Sequence, residues 1–142
     1  MDFTAEEIRD RFIRYCMVDT QSDEKSKTVP STPKQKNLAK ILVKELRAMG
    51  IENAHMDDKG YVMASIPANH RSNTTCIGFL AHMDTSPEFN GGDVNPQIIE
   101  DYDGKDIVLN KKNNIILSPV DFPELSSYIG QTLITTDGTS LL

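Results

Sequence analysis

No run in this sequence is long and apolar enough to cross a membrane as a helix. Basic residues are also in deficit. The formal net charge is −6, which argues against a nucleic-acid surface built on a basic patch. Cysteine occurs only twice, at Cys16 and Cys76, too sparsely for a disulfide framework. Both lie in apolar contexts and read as buried free thiols. The opening residues Met1-Asp2-Phe3-Thr4-Ala5-Glu6-Glu7 are acidic and lack the basic and apolar regions of a secretory signal. The expectation is a cytoplasmic protein without membrane or nucleic-acid partners. The glycosylation pattern Asn73-Thr74-Thr75 then has no meaning. Charged residues at 25% and hydrophobic residues at 38% are ordinary for a globular chain. A length of 142 residues predicts one domain with its own core.

What is present centres on one stretch, Thr74 to Thr85. Residues 76–81 form a short apolar run that ends abruptly in His82 and Asp84. Such a run fits a strand buried on both faces, as in a parallel sheet covered by helices. Ligands of open α/β sheets sit just beyond the carboxyl ends of those strands. A neutral imidazole is a good transition-metal ligand. A carboxylate two residues on points to the same side of an extended chain, where it can hold the ring in one tautomer. The alternative is a strand running out into polar residues at a surface, since His-x-Asp alone does not make a metal site.

The surrounding residues carry more. Phe79-Leu80-Ala81-His82-Met83-Asp84-Thr85-Ser86-Pro87 and Asn90-Gly91-Gly92-Asp93-Val94-Asn95-Pro96-Gln97 resemble the peptidase T branch of the M20 zinc metallopeptidases. Asp19-Thr20-Gln21-Ser22, Pro30-Ser31-Thr32, Gly60-Tyr61-Val62 and the segment from Gly130 to Gly138 match the same family in the same order. The resemblance implies an α/β fold: an incomplete N-terminal portion of an M20-type catalytic domain, with helices packed on a mixed, largely parallel sheet. It implies an aminopeptidase that releases the N-terminal residue of tripeptides with two zinc ions. In that family the zinc ions polarise the scissile carbonyl and lower the pKa of a shared water. By the same resemblance His82 is a metal ligand, and Asp84, a catalytic-site residue, orients its ring.

Along the chain, Thr4 and Glu7 form a capping-box pattern, with Phe3 and Ile8 spaced as a hydrophobic staple. Ile8, Phe12, Tyr15 and Cys16 then share one helical face, predicting a helix from 5 to about 17. Asp19 to Ser31 reads as a polar loop with no assigned mechanism. Thr32, Pro33 and Gln35 open a second helix as cap, first position and capping-box partner, and Gly50 stops it. Leu38, Ile41, Leu42, Leu46 and Met49 line one side of it. Ile51–Met56 and Tyr61–Ile66 flank a turn-rich tetrapeptide and predict a hairpin. His55 and His70 read as surface histidines.

From residue 86 onward, Pro87, Pro96, Pro119 and Pro123 with several glycines predict loops and short strands. Ile98-Ile99 and Ile107–Leu109 are candidates to pair across an acidic turn. That turn is not a calcium loop: Gly104 falls too early, and Lys112 stands where a bidentate glutamate belongs. Phe122 to Ile129 predicts one or two helical turns, and Thr132 to Thr136 a strand.

The sequence stops before the positions where the family places its bridging aspartate, its general-base glutamate, its remaining zinc ligands and an inserted lid domain. The expectation is a polypeptide inactive alone, with zinc bound weakly and exposed apolar surface driving self-association. Two other readings stay open: an M20 carboxypeptidase, dipeptidase or deacylase, and a non-catalytic interaction module.

Overall fold

The computed structural model describes residues 3–70 and 75–141; Asn73 and Thr74 of the glycosylation pattern lie outside them. The chain is small and mixes helix with strand. In order come α1 (Ala5–Cys16), α2 (Gln35–Ala48), β1 (His55–Met56), β2 (Val62–Met63), β3 (Gln97–Ile99), β4 (Ile107–Asn110), β5 (Ile115–Leu117), a 3-10 helix (Pro123–Tyr128) and β6 (Leu133–Thr135). They group into two units, Met1–Asp19 with Glu88–Leu142, and Thr20–Pro87.

In the first unit, α1 begins at the expected box: Thr4 Oγ1 accepts from the Glu7 amide at 3.1 Å, and the Thr4 amide donates to the Glu7 carboxylate at 2.9 Å. The face expected to be buried is not. Ile8 and Phe12 are exposed, and α1 has no buried residue. Amphipathic spacing orients an apolar stripe but does not supply its partner. Cys16 is half-buried, and burial pushes its thiol pKa up.

The strand pairing expected for Ile98-Ile99 is corrected. β3 pairs antiparallel with β6, Ile98 opposite Ile134, while β4 forms its own antiparallel hairpin with β5. Closing β4 onto β5 takes only residues 111–114, where the Asn113 amide donates to Asn110 Oδ1 and Asn114 takes a positive φ. Beyond the end of β3 the chain meets the 130–131 segment: the Tyr102 amide donates to Gln131 and the Gly130 amide to Tyr102. Tyr102 is only 2% exposed and its hydroxyl donates to the Lys105 carbonyl. Val94, Tyr102 and Ile107 are this unit's buried apolar side chains.

In the second unit, α2 starts later than its capping signal suggests. Thr32 Oγ1 does not cap the Gln35 backbone amide, which donates to the Thr32 carbonyl at 3.4 Å instead. The Thr32 hydroxyl donates to the Gln21 carbonyl at 2.7 Å and receives the Gln35 side-chain amide. Leu38 and Ala39 are buried on α2, and Ala54 beyond it. The hairpin is present but short, with His55 opposite Met63. Its turn is held by Asp57 Oδ1, which accepts from the Lys59 and Tyr61 amides, and by Gly60 at φ 90°.

Two expectations are not met among the described residues. A largely parallel sheet is not found among the described residues: the strands form three separate antiparallel pairs, and the one parallel contact is an isolated bridge from Gln21 to Thr85. Cys76–Ala81, expected as a buried central strand, pairs with no strand among the described residues and is exposed, with Phe79 at 94% and Leu80 at 99%. Cys76 is therefore an exposed thiol rather than a buried one. An apolar run permits a strand, but only a neighbouring ladder makes one.

Candidate functional site

His82 follows directly on that run, and its side chain is 85% exposed. The chain then bends so that Nδ1 of its ring lies 2.8 Å from the backbone carbonyl of Asp84 and 3.3 Å from Asp84 Oδ1. A carbonyl oxygen can only accept, so Nδ1 carries the proton in the neutral ring. The lone pair is then on Nε2. Either neutral tautomer can bind a metal; this one offers Nε2, with the other nitrogen tied to an oxygen acceptor as in metal-binding imidazoles. The structure thus brings His82 and Asp84 together, with the Asp84 carbonyl, more than its carboxylate, as the near partner.

The rest of the neighbourhood comes from the loop after α1. The Thr85 amide donates to Thr20 O at 3.3 Å, and the Thr85 carbonyl accepts from the Ser22 amide at 3.0 Å and Ser22 Oγ at 2.9 Å. The Gln21 side-chain amide reaches Pro87 O. Thr20 is 2% exposed. Composition alone assigns this loop no role; its one sequence signal is the family match of Asp19-Thr20-Gln21-Ser22.

His55 donates from Nδ1 to the Asn53 carbonyl at 2.9 Å and is exposed on β1, and His70 is exposed in its loop. Among the described residues, no group of three His, Cys, Asp or Glu is placed to hold a metal ion. A catalytic zinc takes three protein ligands and a water. The described residues therefore fit as one nitrogen donor with its orienting acceptor, and they do not complete a zinc site.

No helix among the described residues is long and apolar enough to cross a membrane. No protein-family model matches the chain. Comparison with curated proteins gives many matches. The chain is 63% identical over 137 residues to peptidase T of Geobacillus kaustophilus, 62% to that of Geobacillus thermodenitrificans and 58% to that of Clostridium acetobutylicum. Each alignment covers 96% of this chain and 33 or 34% of the relative. The chain spans about a third of the length of the curated relatives it matches. Along nearly all of its own length, then, this chain resembles peptidase T.

Proposed function

We propose that these residues contribute one metal donor to a zinc-dependent aminopeptidase that removes the N-terminal residue of tripeptides. The relatives' shared name supports a peptidase. The observation that carries the metal assignment is the His82 ring, turned by Asp84 so that Nε2 keeps its lone pair facing solvent. In this reading His82 Nε2 holds the zinc, and Asp84 fixes the ring and raises its basicity through its carbonyl and carboxylate. No catalytic step is assigned to the described residues, because the donors beside His82 fall short of a working site. The substrate is a short peptide and the setting cytoplasmic, consistent with two free thiols.

The test compares two polypeptides: the 142-residue chain, and a chimera in which it replaces the matching third of the Geobacillus kaustophilus peptidase T. Zinc content and tripeptide hydrolysis are measured side by side. Both should appear in the chimera, and His82→Ala should abolish both together. Asp84→Asn should retain more zinc than activity. A chimera that keeps its zinc and activity after His82→Ala would overturn the reading. A panel of dipeptides, tripeptides and acylated amino acids separates the tripeptidase from a carboxypeptidase, dipeptidase or deacylase.

A further inference from the structure

The peptide group joining Asp84 to Thr85 makes a hydrogen bond at each end. Its carbonyl, Asp84 O, accepts from His82 Nδ1 at 2.8 Å. Its N–H, on Thr85, donates to Thr20 O at 3.3 Å. One rigid, planar unit therefore links the imidazole to the loop after α1. A peptide that donates at its N–H is polarised and accepts more strongly at its carbonyl.

The next peptide is clamped as well. Thr85 O accepts both the amide and the hydroxyl of Ser22, at 3.0 and 2.9 Å. The clamp is anchored in turn, because Gln21 O accepts the Thr32 hydroxyl at 2.7 Å, and that hydroxyl takes the side-chain amide of Gln35 at the start of α2. These contacts bridge 63 residues of sequence between Ser22 and Thr85.

We propose that Thr20–Ser22 is a positioning strap for His82: by fixing the planes of the peptides on either side of Thr85, it holds the imidazole in the tautomer with Nε2 free. The proposal rests on the reading of His82 as a metal donor for its purpose, although not for its geometry. Ser22 is a positioning residue. It acts through the Thr85 carbonyl, which accepts both its amide and its hydroxyl.

His55 is an internal reference in the same unit. Its Nδ1 also donates to a backbone carbonyl two residues away, Asn53 O at 2.9 Å, with no contribution from the strap. Loosening of the unit as a whole would disturb both rings, whereas loss of the strap should disturb His82 alone.

The experiment is nitrogen NMR of the imidazole rings in the metal-free 142-residue chain, at a pH where they are neutral, for the wild type, Ser22→Ala and Ser22→Thr. In the wild type both rings should report the Nδ1–H tautomer. Ser22→Ala should move the His82 tautomer ratio toward Nε2–H by roughly fivefold, the size of one neutral hydrogen bond, and leave His55 unchanged. Ser22→Thr, which keeps the hydroxyl, should restore the wild-type ratio. An unchanged His82 ratio in folded Ser22→Ala, or an equal shift at His55, overturns the strap. This outcome is separable from failure of the functional reading. Zinc retained by the His82→Ala chimera sinks the metal assignment while leaving the tautomer result standing, and the converse holds if only the tautomer result fails.

Discussion

Gly138 shows how a single position can carry two constraints. Its φ is 76°, and a Cβ placed there would lie 2.7 Å from Cγ2 of Ile115 on β5. Gly138→Ala should therefore destabilise the chain twice, through a left-handed backbone and through steric overlap with the half-buried Ile115 side chain, by about 2 kcal/mol or more in all. A lowered urea midpoint with unchanged slope would register it. Next to it, the Thr139 hydroxyl, then the Thr139 amide, with a smaller contribution from Asn95, hold the Asp137 carboxyl below the usual carboxylate range. The folded chain thus takes up this proton less readily than the unfolded chain. The resulting stability is fully present above the unfolded pKa and is lost as pH falls through the lower, folded pKa. Thermal unfolding should shift downward with acid below about pH 4, and Asp137→Asn should flatten that part of the profile. An identical acid profile in the variant would remove Asp137 from the account.

At the scale of elements, local chemistry was the legible part. The capping box at Thr4 and Glu7, the turn at Asp57 to Gly60, the helical turns at Pro123–Tyr128 and the strand at Leu133–Thr135 were all readable, because each is determined by residues a few positions apart. What sequence could not supply was the partner. β3 found β6 instead of β4, Ile8 and Phe12 found no cover, and Thr32 gave its hydroxyl to Gln21 instead of capping α2. The candidate site divides the same way. The proximity of His82 and Asp84 followed from their spacing, whereas the strap from Thr20 to Ser22 is a contact across more than sixty residues and left no local trace. Because α1 buries no residue, its end chemistry carries much of its persistence. Thr4→Ala should cost about 1 kcal/mol of helix stability. It should lower the helical signal in far-UV circular dichroism while the NMR shifts of Tyr102 and β6 stay in place. Movement of Tyr102 would mean that α1 is coupled to the β3–β6 ladder.

For the molecule as a whole, the dominant feature is apolar surface left without cover. The run Cys76–Ala81 is uncharged, apolar and free of proline, with Ile77, Phe79 and Leu80 all exposed. Extended segments of this composition with unpaired backbone groups template association with another strand. The 142-residue chain should therefore self-associate, with light scattering reporting a mass that rises with concentration. Phe79→Lys should reduce that rise several-fold. Monomeric mass throughout would count against it. The run also contains its own reporter. The Cys76 thiol is exposed, whereas Cys16 is half-buried with its pKa raised, so a maleimide or iodoacetamide should alkylate Cys76 first. Any partner strand that covers the run, whether from a second copy or within the peptidase T chimera, should slow that reaction. The rate of thiol labelling would then measure how completely the stretch leading to His82 has been incorporated into a sheet.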